Sequence, residues 1–271
     1  MISAGARTGC AGGAVQVEHG GPVPRRVGLR EMGPWYALAV VLLKPLVVLS
    51  ARRRWLGAEH VPATGGVVLA ANHISHVDPF FVAEFAVHRV GRIARFMAKS
   101  TLFRGRGIVA RVMRGAEQIP VHRDTGDASL ALRDAVAALR AGECIVIYPE
   151  GTVSRDPQKW PMLARTGIAR LALLSGAPVV PLAQWGAQDV HDTYRRRGLR
   201  LLPRHDVVLK AGPPVDLSAY EGRPLTAEVL RDATADVMAA ITVLVEELRG
   251  EPRPALLHVD RTSRTDVRRP A

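Results

Sequence analysis

The chain has 271 residues, enough for one large domain with a sizeable core or for two small domains. Hydrophobic residues make up 48% of it and aromatic residues only 5%, which excludes a disordered or fibrous chain. The net charge of +12 and the pI near 10.8 predict a polyanionic neighbour, which is nucleic acid, an anionic membrane surface or a phosphate-rich substrate.

The first 31 residues are rich in Gly, Ala, Pro and Arg and show no period, which predicts a disordered tail over residues 1–31. The composition changes abruptly after Met32. Translation starting at Met32 is therefore a further expectation.

An apolar segment follows, and we predict that residues 32–58 form a short helical region that contacts a membrane. The stretch from Trp35 to Ser50 is shorter than the ~20 apolar residues of a bilayer span, and Lys44-Pro45 interrupts it. Arginines flank it on both sides, with a tryptophan at each end. This pattern favours a helix lying in the membrane interface, and a buried core helix with basic neighbours is the alternative.

From residue 59 to residue 250, short apolar runs alternate with helical periods, which predicts one α/β domain. Its sheet should be mostly parallel or mixed and flanked by helices. The predicted strands are Val67–Ala71, Ile93–Ala98, Gln118–Val121, Cys144–Tyr148, Val179–Ala183 and Val207–Ala211. Helices are predicted from a cap at Asp127 to Gly142 and over residues 226–249, and residues 251–271 are predicted to be a second disordered tail.

A dense polar cluster, Asn72 to Pro79, follows the first predicted strand. Because Pro79 disfavours helical geometry at Asp78, we expect the cluster to form a strand-exit loop. A histidine such as His73 can take a proton from a hydroxyl, and a carboxylate such as Asp78 can fix its tautomer. Ser75 and His76 lie in the same loop and compete for these roles.

The chain contains no G-x-S-x-G sequence, so nothing in it indicates a serine nucleophile carried by the enzyme. A His-Asp pair would then activate a hydroxyl that belongs to the substrate. This favours direct acyl transfer without an acyl-enzyme intermediate.

A second cluster, Tyr148 to Arg155, follows another apolar strand. Pro149 and Gly151 are turn residues, so we expect a sharp bend that exposes Glu150 and backbone N–H groups. Such a loop can orient an anion or a polar head group. A surface turn without a function has the same composition.

Four blocks together resemble the glycerophospholipid acyltransferase family, whose best-known members acylate lysophosphatidate. The first is the H-x4-D pattern of His73 and Asp78, and the third is the Pro-Glu-Gly-Thr sequence at 149–152. Residues 118–123, which end in Arg123, resemble the family's second block, and residues 179–183 resemble its fourth block. The resemblance covers about residues 35–215 in the family's order.

This resemblance implies that His73 is the general base, Asp78 its partner and Arg123 a phosphate ligand, with residues 150–152, Glu150-Gly151-Thr152, in the acceptor site. It implies transfer of a fatty acyl group from acyl-CoA or acyl carrier protein to a lysophospholipid, most simply lysophosphatidate, which gives phosphatidate. No cofactor is implied beyond the acyl thioester donor. The implied location is the cytoplasmic face of the cell membrane, with peripheral or monotopic attachment.

One position departs from the family pattern, because Val153 stands where an arginine usually follows the threonine. Arg155 from the same loop is the candidate replacement. The alternative is an acceptor without the usual phosphate, such as a glycolipid or another lysolipid. The basic stretch from Arg89 to Arg123 has nine Lys/Arg and one acidic residue, which suits anionic lipid, and it offers Lys99 as a head-group or carrier-phosphate ligand.

Two other classes of function compete with acyl transfer. A metal-dependent hydrolase would use His73, His76 and Asp78 as ligands, but this spacing matches no strong metal-ligand pattern and no second ligand group appears. A nucleic-acid-binding module would explain the positive charge. The chain lacks a zinc-finger pattern and has few aromatic residues for base stacking, so we expect no nucleic-acid partner.

Overall fold

The structure is a computed structural model that describes residues 27–28, 31–121, 128–195, 198–255 and 258–259. The predicted tails over 1–31 and 251–271 lie largely outside the described residues. Arg123, the predicted phosphate ligand, and Asp127, the predicted helix cap, also lie outside them.

Within the described residues, seven strands form one sheet in the order β1-β7-β6-β2-β5-β3-β4. All neighbouring pairs are parallel except β6 and β7, which are antiparallel. The strands are β1 Ala51–Leu56, β2 Val67–Ala71, β3 Ala94–Lys99, β4 Ile119–Val121, β5 Cys144–Ile147, β6 Val179–Trp185 and β7 His205–Ala211. The six predicted strands are all present, and the predicted α/β fold is confirmed.

Helices cover both faces of this sheet. They are α1 Pro34–Ser50, α2 Asp78–Phe85, α3 Ile108–Gly115, α4 Ala128–Arg140, α5 Gly167–Ser175, α6 Ala187–Val190 and α7 Ala227–Arg249. The last of these matches the predicted helix over 226–249. The Thr226 side chain accepts the N–H of Val229 at its start, and Gly250 ends it with φ 64°.

The central strand β2 is buried along its whole length. Val67, Leu69 and Ala71 pack into a core that also contains the apolar side of α2. Val68 and Ala70 face the opposite core, where α4, α5 and α7 pack. A strand covered on both faces needs apolar residues at every position, which is why the sequence VVLAA does not alternate.

The strand β1 was not predicted, because its arginines were interpreted as the basic flank of a membrane-contact segment. It pairs with β7 at the edge of the sheet. Arg53 forms an ion pair with Glu84 at 2.6 Å, and the Trp55 ring packs edge-on against Phe81 and Phe85. Edge strands tolerate charged residues because one side has no neighbouring strand. The sheet therefore begins at Ala51, inside the segment assigned to 32–58.

The helix α1 continues through Pro45, so the Lys44-Pro45 pair does not break it. Tyr36 and Val47 are buried, whereas four apolar side chains of the helix face outward, namely Leu38, Val41, Leu42 and Leu49. None of the helices in the described ranges combines the length and the hydropathy that a membrane crossing requires.

The topology brings three loops to one edge of the sheet. β2 lies between β5 and β6 and is parallel to both. The carboxyl ends of these strands therefore lie side by side, and the loops that follow them, beginning at Asn72, Tyr148 and Gly186, are neighbours. This edge is where open α/β sheets commonly hold their ligands.

Candidate active site

The loop after β2 holds His73 and Asp78 in direct contact. His73 Nδ1 lies 2.8 Å from Asp78 Oδ2, and the same oxygen accepts the backbone N–H groups of Ile74 at 2.6 Å and Ser75 at 2.8 Å. Asp78 is fully buried. Three donors on one carboxylate oxygen fix the side chain relative to the loop.

The expectation that Pro79 keeps Asp78 out of a helix is wrong. Asp78 is the first residue of α2, and Pro79 follows it in the first turn. Proline is tolerated there because the first N–H groups of a helix have no partner within the helix. The position also places the carboxylate at the positive end of the helix dipole.

The contact with Asp78 determines which ring nitrogen of His73 is basic. An ionised carboxylate accepts a hydrogen bond, so Nδ1 carries the proton and Nε2 presents its lone pair. Among the described residues, Nε2 has no hydrogen-bond partner, and the side chain is 15% exposed. The pair therefore has the arrangement that general-base chemistry requires.

Tyr148, at the end of β5, forms the wall behind the imidazole. Its ring stacks on His73 with centroids 4.2 Å apart and an interplanar angle of 21°. The hydroxyl is buried, and burial, followed by the charge of Asp78, raises the pKa of Tyr148 well above its usual value. Sequence reasoning placed Tyr148 in the second cluster but gave it no role, because nothing in the spacing indicates a stacking partner 75 positions away.

Glu150 is buried, so the expectation that the turn exposes it is wrong. Its Oε1 accepts the backbone N–H of His73 at 3.0 Å, and its Oε2 accepts that of Met162 at 3.0 Å. Burial raises the pKa of Glu150 to about 8, against the opposing effect of these two bonds. The N–H of Ser154 donates to the carbonyl of His73 at 2.6 Å. The second cluster thus holds both backbone polar groups of His73.

Asn72 and Gln184 attach the start of the loop to β6. Gln184 donates its backbone N–H to Asn72 Oδ1 at 2.8 Å and its side-chain amide to the Asn72 carbonyl at 2.7 Å. Asn72 Nδ2 returns a bond to the Gln184 carbonyl at 3.1 Å. Both residues are fully buried. A glutamine inside a buried strand signals such a network, but sequence reasoning did not use it.

The other predicted residues of the second cluster lie on the turn. Gly151 has φ 73°, and a Cβ there would lie 3.3 Å from Arg165 Nε, so the side chain of Arg165 extends over the turn. Thr152 is partly exposed, Arg155 is exposed, and Val153 is 3% exposed. The position where the family usually has arginine is therefore packed into the protein.

Lys99 is exposed at the carboxyl end of β3, two strands from β2. It lies at the same edge of the sheet but takes no part in the hydrogen bonds around His73. His76 stacks on His191 with centroids 6.1 Å apart, and burial followed by the neighbouring histidines lowers its pKa. Across the described ranges, no group of three or more His, Cys, Asp or Glu side chains is arranged to hold a metal ion.

Comparison with known proteins covers the part of the chain that holds this site. The Acyltransferase family model matches residues 52–185, which include the His-Asp loop, the Glu150 turn and Gln184. The chain therefore carries an acyltransferase domain over these residues. It is an O-acyltransferase whose strands β2, β5 and β6 carry the loops described above.

Named relatives agree with this assignment. The acyltransferase is 26% identical over 167 residues to the 1-acyl-sn-glycerol-3-phosphate acyltransferase of Bacillus subtilis, covering 62% of this chain and 79% of the relative. It is 26% identical over 194 residues to the Borreliella burgdorferi protein of the same name, covering 69% and 72%. The crystal structure of the 1-acyl-sn-glycerophosphate (LPA) acyltransferase from Thermotoga maritima superposes with a TM-score of 0.58 at 24% identity, covering 81% and 82%, which shows the shared fold.

Proposed function

We propose that this acyltransferase moves a fatty acyl group from an acyl thioester, acyl-CoA or acyl carrier protein, to the hydroxyl of a lysophospholipid. Lysophosphatidate is the proposed acceptor and phosphatidate the product, which places the enzyme in phospholipid biosynthesis. The observation that carries the proposal is the 2.8 Å contact between His73 Nδ1 and the buried Asp78, at the loop edge of the sheet. The relatives from Bacillus subtilis and Borreliella burgdorferi are named for activity on 1-acyl-sn-glycerol 3-phosphate, which supports this acceptor.

The geometry supports a direct transfer. His73 Nε2 takes the proton of the acceptor hydroxyl while its oxygen attacks the thioester carbonyl carbon. Asp78 stabilises the imidazolium that forms. When the tetrahedral intermediate collapses, the C–S bond breaks, and the imidazolium returns the proton to the leaving thiolate. No residue of the enzyme is acylated.

The oxyanion of that intermediate needs hydrogen-bond donors. In the described part of the chain, the backbone N–H groups of Thr152 and Val153 donate no hydrogen bond to the protein, although their turn contacts the His73 backbone through Glu150 and Ser154. We propose that these two groups stabilise the negative charge on the former carbonyl oxygen. This gives Thr152 a role through its main chain.

We further propose that the enzyme binds an anionic membrane surface through α1 and α3, as a peripheral or monotopic protein on the cytoplasmic face. Trp35 of α1 packs on Gly115 of α3, where a Cβ would lie 2.1 Å from the indole Cδ1. The paired helices leave an apolar surface outward, with Leu42 60% and Ile108 58% exposed. Exposed arginines surround it at positions 104, 106, 111 and 114. Apolar insertion with basic anchors is typical of interfacial helices.

A second acceptor class follows from Val153. Because this residue is 3% exposed and apolar, the turn supplies no cation at the position where the family usually has one. An acceptor without a phosphate monoester, such as a glycolipid or another lysolipid, would need none there. Arg155 and Arg123 remain the cations proposed for a phosphate-bearing acceptor, together with Lys99 for the head group or the carrier phosphate.

The experiment that tests the proposal measures release of free thiol from acyl-CoA and from acyl carrier protein with a panel of acceptors. The panel contains lysophosphatidate, a lysophospholipid with a larger head group, monoacylglycerol and a glycolipid. We expect the fastest release with lysophosphatidate and formation of phosphatidate. Folded enzyme that consumes no thioester with any hydroxyl acceptor would contradict the proposal, and chelator-sensitive hydrolysis without an acceptor would favour a metal-dependent hydrolase.

A further inference from the structure

A cavity of about 510 Å³ lies beside the His73 loop, between the segment that follows Ser154 and the loop that follows α6. Pro157 and six polar or charged residues form its lining, the latter being Arg155, Asp156, Lys159, Asp192, Tyr194 and Arg195. Arg155 is proposed above as a cation for the acceptor phosphate, and the other side chains of this lining have no role in the proposed function. The cavity's location, its charge and the conformation of Lys159 together indicate a ligand.

Hydrogen bonds join the walls of the cavity to the catalytic loop. The Tyr194 hydroxyl donates to the Val153 carbonyl at 2.7 Å, and the backbone N–H of His76 donates to Thr193 Oγ1 at 3.1 Å. On the other wall, Ser154 donates its N–H to the carbonyl of His73, and Arg155 is the next residue. A molecule in this cavity is therefore a neighbour of the site of acyl transfer.

Lys159 has a backbone conformation that lysine rarely adopts, with φ 64°. A tight turn imposes it, because the Lys159 N–H donates to the Asp156 carbonyl at 2.9 Å and the Trp160 N–H donates to Asp156 Oδ1 at 3.3 Å. Glycine would fit this turn without strain. A strained lysine on a cavity wall beside an active site points to a use for its side chain.

The ammonium group of Lys159 is held by neutral partners only. Its Nζ lies 4.8 Å from the centroid of the Tyr194 ring and 3.5 Å from the Ser154 carbonyl oxygen, and it forms no ion pair within the described part of the chain. The cation thus remains available for an anionic ligand.

The two carboxylates of the lining are already engaged. Asp156 Oδ1 accepts the N–H of Gln158 at 2.8 Å. Asp192 Oδ1 accepts the N–H of Tyr194 at 3.1 Å, while its Oδ2 lies 3.4 Å from Arg195 Nε. The lining therefore presents more positive than negative charge toward its interior, which favours an anion.

We propose that this cavity binds a phosphate group of one of the two substrates, with Lys159 as its principal ligand. The inference rests on the proposed function, because it takes the substrates from it. It also supplies a cation for the phosphate in place of the arginine that the family usually has at the position of Val153, because Lys159 lies six residues further on. The acceptor's phosphate monoester and the phosphates of the carrier share this chemistry.

The test is equilibrium binding to the full-length protein by calorimetry, with sn-glycerol 3-phosphate as the acceptor probe and adenosine 3′,5′-bisphosphate as the carrier probe. Lys159→Gly removes the charge and relaxes the turn, so the fold should be kept, and Lys159→Arg keeps the charge. Arg231→Gln, at an exposed position of α7, removes one positive charge away from the cavity.

We expect Lys159→Gly to weaken the binding of one probe by about tenfold or more, because a charge-assisted contact is lost. Lys159→Arg and Arg231→Gln should bind that probe nearly as the natural protein does. The probe that is affected identifies which substrate carries the phosphate. Unchanged affinities in Lys159→Gly, or a natural protein that binds neither probe, would overturn the proposal. Failure of the proposed function shows separately, as a lack of thioester consumption.

Discussion

The two halves of the segment after β5 differ sharply in what their side chains contact. Residues 148–154 are directed inward, with Tyr148 stacked on His73 and Glu150 bound to two backbone N–H groups. Residues 155–159 turn outward and place Arg155 and Lys159 on a cavity wall.

The difference shows that the family motif and the ligand contacts need not coincide. Glu150 belongs to the motif that was expected to bind the head group, yet it is buried and its carboxylate accepts the backbone N–H of His73, the proposed general base. Lys159 lies outside the motif, but its ammonium group contacts only the Ser154 carbonyl and the Tyr194 ring, so it can still pair with an anion. In this chain the motif positions the chemistry, and the next residues are the better candidates for contact with substrate.

The largest expected effect comes from breaking the inner network at Asp78. Asp78→Asn can donate from its amide nitrogen, so Nδ1 of His73 no longer has an ionised acceptor and the basic nitrogen changes. We predict a fall in kcat of roughly two to four orders of magnitude. The measurement is thiol release with saturating acceptor, and a kcat within about threefold of the natural enzyme would contradict the role given to Asp78.

A smaller effect is expected at Glu150, and it should appear first as lost stability. In Glu150→Gln, one of the two buried N–H groups faces an amide nitrogen that cannot accept. We predict that the free energy of unfolding falls by about 1–3 kcal/mol. The matched control is Glu143→Gln, which removes a partly exposed ion pair with Arg95 and should cost roughly 0–1 kcal/mol. Equal losses in denaturant unfolding of the two variants would refute the structural role of Glu150.

A further effect at Glu150 concerns pH. Because the pKa of Glu150 rises from 4.5 to about 8 on folding, the folded protein holds a proton that the unfolded chain has released between these values. Stability that depends on this group is therefore present at low pH and declines as the pH rises toward 8. Glu150→Gln lacks the ionisable group, so the unfolding free energy of the natural protein minus that of Glu150→Gln should fall steadily as the pH rises across this window. A constant difference would show that the carboxylate is ionised throughout.

The sequence predicted most of the sheet because buried parallel strands are continuous apolar runs bounded by turn residues. This holds for Val67–Ala71 and for Cys144–Tyr148, which the structure shows as β5 one residue shorter. The same pattern did not predict β1, because three consecutive arginines in an edge strand resemble the basic flank of an apolar helix. The helix start at Asp78 was also missed, since a proline after a residue signals a boundary without showing on which side the helix lies.

For the site, the contact between His73 and Asp78 was predicted from the resemblance to the family's H-x4-D pattern, because spacing alone is weak evidence for such a pair. Spacing does not reveal burial or contacts between distant loops. The bond from Glu150 to His73 joins residues 77 positions apart. Glu150 was therefore expected to be exposed, and Tyr148, Gln184 and Lys159 received no role. These contacts depend on which strands lie next to each other, and a sequence pattern does not give that order.

The measurement that tests the central claim most directly is the kcat of His73→Ala, with His76→Ala as the matched control from the same loop. His76 lies three positions further on and contacts His191 and Thr193 instead of Asp78. If the imidazole of residue 73 deprotonates the acceptor, kcat of His73→Ala should fall by roughly two or more orders of magnitude with the fold intact, while His76→Ala keeps most of its activity. A folded His73→Ala enzyme with unchanged kcat would contradict the account.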